Sequence, residues 1–441
     1  MRRLRQELFR IGGIDLWMAI AASAIAALMI VAASEAQGQT FQVLHTFTGG
    51  DDGADPVVGL TMDRAGNLYG TAQYGGTGNC NVGAQGCGTV FKLSHKGTGW
   101  TFTPLYSFQG WNASDGAYPQ SRVSIGTDGN LYGATSIGGP IGECKGGLGC
   151  GTAYRLQPPA TICKSVSCPW TETALHNFMV PPDGNYPSGD LIFDGAGNLY
   201  GTTVDGGSSS DVDGTVFELS PSNGGWMESI LYSFPGGGTG GLPYSGVIFD
   251  AAGNLDGTAT NGGSSDLGTI FQLTPSGSGW TGSALYSFAP GDEGDLPIGG
   301  LITDNAGNLY GATRNSTSGQ PVVYELTPAN GGWTFTIMHV FDGADDGGPV
   351  GKLLMDSAGN VYGTALSASG NGDCCGSVFK LTPSNGGWIY TDLHDFIGGS
   401  GGAYPYDGLI MDANGNLYGT TSAGGSSACQ GGCGVVFEIT P

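Results

Sequence analysis

The chain has 441 residues, 85 of them Gly; only 12% are charged and the formal net charge is −23. Glycine at this level excludes a helical protein, and without a three-residue period it also excludes collagen. The acidic balance argues against nucleic acid or anionic lipid as the main partner, and its plain reading is solubility of a secreted protein.

Residues 1–36 read as a signal peptide. Arg2, Arg3, Arg5 and Arg10 give a positive start, Leu16 to Ala33 is apolar, and Ser34-Glu-Ala36 supplies small residues for cleavage. The apolar run is long for a signal, so an uncleaved membrane anchor is the competing reading. No membrane contact is expected beyond this segment. The expected location is the periplasm, the cell surface or the medium.

Residues 40–441 read as one domain. Phe41-Gln-Val-Leu-His-Thr-Phe47 is a strand with no partner before it. From Pro56 a unit of four strand signals begins. Pro56 to Asp63 is β-rich and ends in a turn-former. Gly66-Asn67 is a hairpin turn, because Gly and Asn tolerate positive φ. Leu68 to Ala72 is the second strand, Gly88 to Leu93 the third and Trp100 to Phe108 the fourth.

The unit recurs seven times, with its Asn at Asn67, Asn130, Asn198, Asn254, Asn308, Asn360 and Asn416. In the fourth strand, Trp100, Trp170, Trp226, Trp280, Trp333 and Trp388 each stand five residues before an apolar residue. Three residues further comes Phe108, Phe178, Phe234, Phe288, Phe341 or Phe396. Aromatics kept in phase imply a packing layer between units. The chain stops at Val435 to Thr440, a third strand. The first segment therefore supplies the missing fourth strand. The expected fold is all-β, a seven-bladed β-propeller of four-stranded blades closed by its N-terminal strand. Gln39 occupies the Trp slot at that seam, which predicts looser packing there.

The ten cysteines agree with export. Cys80/Cys87, Cys144/Cys150 and Cys429/Cys433 lie between second and third strands, and Cys163/Cys168 between third and fourth strands of the second blade. Such spacing reads as local disulfides, with zinc as the alternative. Cys374-Cys375 admits pairing together, pairing elsewhere or reduced thiols.

Propeller geometry puts the second-to-third and fourth-to-first loops on one face. That face collects Asp51, Asp52 and Asp55; Asp115; Asp183; Asp292, Glu293 and Asp295; and Asp342, Asp345 and Asp346. Ca²⁺ is the one cofactor these turns suggest, at Asp51, Asp52, Asp55, Asp292, Asp295, Asp342, Asp345 and Asp346, although no complete EF-hand loop occurs. The opposite face carries the turn residues Asp63, Asp194, Asp250, Asp304, Asp356 and Asp412, read as caps of their own backbone. His45, His176, His339 and His394 share one outer-strand slot with Tyr106, Tyr232 and Tyr286, and are assigned a structural role.

First strands line a propeller axis. Three residues after each first-strand Pro stand Gly59, Arg122, Asp190, Gly246, Gly300, Lys352 and Gly408. Arg122, Asp190 and Lys352 are therefore expected near one another at the axis, with the glycines leaving room; this is the candidate ligand site. An ion pair or a solvated channel lining is the plainer alternative.

The ordered blocks from Leu191 to Phe234 resemble the GloVer tandem repeat of exported bacterial proteins: Gly-Asn-Leu-Tyr-Gly-Thr-Thr, then Gly-Gly, Gly-Thr-Val-Phe-Glu-Leu and Gly-Gly-Trp. The resemblance covers nearly all of the chain after about residue 40. It implies a surface or secreted protein and carries over no catalytic residues. Relatives often end in a sorting anchor, which this chain does not show. In the fourth copy Asp256 replaces the motif Tyr, and in the second Gly126 replaces the turn Asp. Likeness to NHL-type and lactonase-like propellers is at the level of fold.

The leading expectation is a non-enzymatic exported binding or scaffold propeller, monomeric, recognising a glycan or a cell-surface partner. The alternative is a propeller enzyme, a lyase or hydrolase on a sugar or lactone with metal at the axis. A purely structural envelope component is the third reading. No nucleophile elbow, phosphate loop, His-Glu-x-x-His or dinucleotide fingerprint occurs.

Overall fold

A computed structural model describes residues 39–440 except 81–85, 98, 111–114, 140–143, 145–146, 160–169, 180, 209–212, 278, 292–293, 315–319, 342–347 and 367–374. The segment 1–36, expected to be a signal peptide or membrane anchor, lies outside the described residues.

Seven antiparallel sheets succeed one another along the chain, and each is a blade. Blade 1 runs outward from the axis as Thr61–Met62, Leu68–Ala72, Thr89–Lys96 and Gly99–Ser107. Blade 7 is built from Ile410–Met411, Leu417–Thr421 and Val435–Thr440, with Thr40–Thr46 as its outer strand. Thr40 pairs with Thr440 and Thr46 with Val435, so the first described strand closes the ring on the last. Two one-turn 3-10 helices, Gly237–Thr239 and Gly399–Gly401, are the helical elements among the described residues.

The predicted first strand shrinks to two paired residues in most blades, because the segment after its Pro leaves the sheet to meet its counterparts at the axis. Blade 3 keeps a long one, Gly184–Phe193. The second strand stands where the hairpin turn places it.

That turn works as its sequence implies. Asp63 Oδ1 accepts the Ala65 and Asn67 N–H groups, both at 2.9 Å, and Oδ2 accepts Asn67 Nδ2 at 2.7 Å and the Tyr69 hydroxyl at 3.1 Å. Gly66 takes φ +78°, which a side chain would resist. In blade 2 the absent turn Asp is replaced from two residues on. Asp128 accepts the Asn130 N–H at 3.0 Å and the Tyr132 hydroxyl at 2.7 Å.

The fourth-strand register has a structural cause that alternation alone does not show. The apolar residue five after the Trp is the extra residue of a β-bulge: pairing passes from Pro104 to Tyr106 and skips Leu105. The same skip occurs at Leu44, Leu175, Leu231, Leu285, Met338 and Leu393. The bulge turns the following Phe toward the next blade. There it meets the third-strand aromatic edge to face, as in Phe108–Tyr154, Phe178–Phe217, Phe234–Phe271 and Phe341–Phe379. Centroids lie 5.0–5.7 Å apart around the whole ring, and Phe396–Phe437 and Phe47–Phe91 carry the layer through the closing seam. Each such buried Phe contributes about 3–5 kcal/mol relative to Ala. The motif Gly after Leu-Tyr admits the third-strand ring. A Cβ at Gly70 would stand 2.5 Å from Phe91, and one at Gly419 the same distance from Phe437.

The seam is better packed than Gln39 predicts. Phe41 stacks on His394 at 3.9 Å and meets Phe396 edge-on at 5.9 Å. The missing Trp is felt only at the rim, where Gln39 is exposed. The other indoles pack on the preceding blade, as Trp100 does on Tyr418 and Trp226 on Tyr132.

Candidate functional site

In six of the seven blades the residue before the first-strand Pro carries strain. Asp55, Tyr118, Tyr186, Leu242, Leu296 and Tyr404 all have φ between +51° and +59°. Bulky side chains avoid this region, so the surroundings must hold it. The backbone N–H of Tyr118 donates to Cys87 O of the preceding blade, Tyr186 to Cys150 O, Tyr404 to Cys375 O and Asp55 to Cys433 O. Cysteines thus stand where one blade anchors the next. Disulfides join Cys80–Cys87, Cys144–Cys150 and Cys429–Cys433, as their spacing predicts. Cys375 is also disulfide-bonded. Cys163, Cys168 and Cys374 lie outside the described residues.

With that backbone fixed, the residue after each Pro points to the axis. Val57, Gln120, Ser188, Tyr244, Ile298, Val350 and Tyr406, one from each blade, line a mouth of about 570 Å³. Tyr244 is 46% exposed and Tyr406 42% exposed, unusual for large side chains in a concavity. A second, shallower hollow of about 420 Å³ opens on the other side, and Arg122 and Asp190 border it.

Between the two hollows the axis is filled. Arg122 Nη2 lies 3.1 Å from Asp407 Oδ2, Arg122 Nε 3.8 Å from Asp190, and Lys352 Nζ 3.8 Å from Asp190. The structure therefore gathers the three axial residues expected from sequence and adds Asp407. Asp407 also accepts backbone N–H groups from Gly59 and Gly408, each at 2.6 Å. Burial alone would raise its pKa, but the Arg122 guanidinium and these two N–H groups outweigh burial and hold it below the ordinary carboxylate range. Burial works against the Arg122 charge too, and Asp407 and Asp190 overcome it.

The axial glycines do not leave an open channel, contrary to expectation. A Cβ at Gly59 would meet the Arg122 guanidinium at 2.5 Å, and one at Gly408 would fall on the Lys352 carbonyl. Glycine here lets strands and the guanidinium close over the axis. Asp407 escaped the sequence reading because it stands two residues after its Pro rather than three. The signal was available, since Val58, Ser121, Gly189, Ser245, Gly299 and Gly351 fill that slot elsewhere without charge.

The acidic turns divide. Asp52 accepts from the Thr48 N–H at 3.0 Å, the Thr48 hydroxyl at 2.5 Å and His45 Nε2 at 3.2 Å. Asp55 is pushed up to about 6 by burial. Asp295 is fully buried, and Asp51 is exposed. Asp292, Glu293, Asp342, Asp345 and Asp346 lie outside the described residues.

The His/Tyr slot makes inter-blade stacks. His45 lies on Phe102 at 3.8 Å, Tyr286 on Phe335 at 4.4 Å, and His339 on Tyr390 at 4.4 Å. The partner always stands two residues after the Trp. In blades 2 and 3 that slot holds Glu172 and Glu228, and in blade 4 Gly282. Glu172 is pushed up to about 8 by burial and by Asp115. Asp256, buried in place of the motif Tyr, has a neutral partner, Gln272 Nε2 at 2.9 Å.

A family model, the Gloeobacter/Verrucomicrobia repeat, matches residues 30–166, 144–374 and 244–441. The chain belongs to this repeat family. The matched segments together span all seven blades, and the axial charges Arg122, Asp190 and Lys352 depart from the glycine that the other blades of this chain carry in that slot. No curated protein matches the chain. Among solved structures, a protein from Lactobacillus plantarum is 14% identical, with 80% of this chain and 95% of that one covered at a TM-score of 0.45. A Thermus thermophilus protein assigned as a glucose dehydrogenase-type oxidoreductase is 16% identical, with 73% and 96% covered and a TM-score of 0.43. A protein of unknown function from Dyadobacter fermentans is 12% identical, with 91% and 98% covered and a TM-score of 0.42. The disulfides are compatible with an exported protein, and among the described residues no helix is long and apolar enough to cross a membrane.

Proposed function

We propose that the protein is an exported, non-enzymatic binding propeller that takes a glycan at its axial mouth. One observation carries this reading: a concavity of about 570 Å³ presents the exposed rings of Tyr244 and Tyr406 beside Gln120, Ser188 and the charged floor at Asp190 and Lys352. Aromatic faces pack against the apolar faces of sugar rings, while amide, hydroxyl and charged groups serve the sugar hydroxyls. The enzyme reading with an axial metal is less well supported, because the axial carboxylates are committed. Asp407 serves Arg122, Gly59 and Gly408, and Asp190 serves Arg122 and Lys352.

The test is a glycan array with the purified protein, followed by titration of the best ligand against Tyr244→Ala, Tyr406→Ala and Lys352→Ala. Each change is expected to weaken binding at least about tenfold. Wild-type affinity in the triple variant would place recognition elsewhere. Turnover of a lactone together with a stoichiometric metal would make the protein an enzyme.

A further inference from the structure

The seven blade interfaces repeat one geometry, so they act as controls for each other. At each, the His/Tyr slot of one outer strand faces the residue two after the Trp of the next. Beside several of them stands the acidic turn that follows the His or Tyr. At the junction of blades 7 and 1 the trio is His45, Asp52 and Phe102. At the junction of blades 1 and 2 it is Tyr106, Asp115 and Glu172. At the junction of blades 2 and 3 it is His176, Asp183 and Glu228, and this trio alone among those described joins an imidazole to two carboxylates.

We propose that His176, Asp183 and Glu228 form a binding site for a divalent cation of the Zn²⁺ class that ties blade 2 to blade 3. His176 comes from the outer strand Thr171–Asn177 of blade 2, and Glu228 from the outer strand Gly225–Ser233 of blade 3. Asp183 lies on the loop between the blades. His176 Nε2 is 2.9 Å from Asp183 Oδ2 and 3.9 Å from Glu228 Oε2, and one ligand atom from each residue lies within 4.8 Å of the others. Ligand atoms placed tetrahedrally at about 2.0–2.2 Å from Zn²⁺ lie roughly 3.4 Å apart. The observed separations straddle that value, so small side-chain rotations would seat the ion.

The ligands are held in advance. Asp183 accepts the Met179 N–H at 3.0 Å and the Gly184 N–H at 2.7 Å. The His176 ring stands edge-on against the buried Phe178 at 4.8 Å. Such outer contacts fix the orientation of metal ligands. Glu228 Oε1 is buried with no hydrogen-bond partner, as Glu172 Oε1 is at the junction of blades 1 and 2, but among the described residues only here do an imidazole and a second carboxylate stand beside it to complete a cation's shell. The side chains remain 20%, 10% and 14% exposed, which leaves a path for the ion and a water as fourth ligand. One imidazole and two carboxylates suit Zn²⁺ better than Ca²⁺, which prefers an all-oxygen shell.

The experiment uses the whole mature protein, freed of metal by chelator and titrated with Zn²⁺ by calorimetry and thermal melting. One equivalent of Zn²⁺ should bind and raise Tm, while Ca²⁺ and Mg²⁺ at the same concentration should not. His176→Tyr recreates the trio that blade 1 already carries with blade 2, so the fold tolerates it. That variant and Glu228→Gln should each lose at least about tenfold in Zn²⁺ affinity, whereas Glu172→Gln should lose nothing. The proposal fails if the wild type takes up no stoichiometric Zn²⁺, or if both variants bind it as the wild type does. It also fails if the trio proves to share only a proton, seen as an imidazolium NMR signal of His176 unchanged by Zn²⁺.

Discussion

Replacing Asp407 with Asn tests whether the axial charges hold the ring together or merely face solvent. The substitution keeps the shape and removes the charge. It also turns one acceptor oxygen into a donor that faces the donors already aimed at it: Gly59 N–H at 2.6 Å with Arg122 Nη2 at 3.1 Å on one side, or Gly408 N–H at 2.6 Å with Lys352 N–H at 3.3 Å on the other. Arg122, 13% exposed, would then keep only Asp190 at 3.8 Å as a negatively charged partner. Removing one partner of a buried ion pair typically costs about 3–5 kcal/mol, because the other charge stays buried and uncompensated. Lys352 differs, being 26% exposed and 3.8 Å from its partner, so Lys352→Met should cost no more than about 1 kcal/mol. Equilibrium unfolding in guanidinium would measure both, and an Arg122→Met, Asp407→Asn double-mutant cycle would give their coupling. A loss below about 1 kcal/mol for Asp407→Asn would refute the argument. The pH dependence has a definite sign. Asp407 titrates lower in the folded chain than unfolded, so its stabilisation is present above the ordinary carboxylate value and is lost as pH falls through the folded one.

Tyr154 and Tyr324 bury hydroxyls without a partner at third-strand positions where five other blades carry Phe. Tyr154→Phe and Tyr324→Phe should therefore each stabilise by about 1–3 kcal/mol and add together, read as a shift in the denaturant midpoint; destabilisation by either would count against the packing argument. Asp256, pushed up to about 6 by burial, should lose stability as pH rises from about 4 to 6, by about 3 kcal/mol at most. Asp256→Asn keeps the Gln272 hydrogen bond and should abolish that loss, so the wild-type minus variant difference across those pH values is the measurement. Gly126→Asp restores the repeat residue yet should not stabilise, because its Cβ would meet Asp128 Oδ1 at 2.5 Å. Only together with Asp128→Ala should it match the wild type in thermal melting.

The fold was legible because its signals are redundant. The hairpin turn, the glycine after Leu-Tyr and the Trp-to-Phe register each recur in nearly every copy and agree on one geometry. The unpaired strand Thr40–Thr46 then settles closure. What escaped was local. A β-bulge at Leu105 and its equivalents breaks the two-residue period, so the faces of the outer strand cannot be read by alternation through it. The glycines of the axial slot were read as space, when their physical consequence is close approach of backbone to backbone and to guanidinium. Arg122, Asp190 and Lys352 were visible as charges in a slot otherwise filled by Gly. Asp407 was visible too, but one residue out of phase. Glu172 and Glu228 lay in a slot whose other occupants are mainly aromatic, and their neighbours across the interface depend on blade order rather than on spacing along one strand.

A seven-fold repeat supplies a further criterion for separating maintenance from function. A departure from the repeat that is answered by a second departure in contact with it restores the local physics. Gly126 with Asp128 does this, since the displaced carboxylate still caps Asn130 and Tyr132. Arg122 with Asp407 does it at the axis, where each charge neutralises the other and the pair takes up the backbone N–H groups that the Gly-rich strands expose there. By this criterion Arg122 belongs to the architecture of the mouth more than to its recognition. Departures left unanswered are different. Tyr244 and Tyr406 present rings to open space, and Glu228 keeps a buried oxygen without a donor. Exposed rings and an unsatisfied carboxylate cost free energy in the isolated protein, and a bound ligand or ion would offset that cost. The proposed ligand recognition therefore falls to the tyrosine rim with Lys352, and the proposed cation binding to the junction of blades 2 and 3. These two sites differ in position and in chemistry, and the Tyr244 and Glu228 variants should separate them. Loss of sugar binding on Glu228→Gln, or of Zn²⁺ binding on Tyr244→Ala, would show that the criterion divides the molecule wrongly.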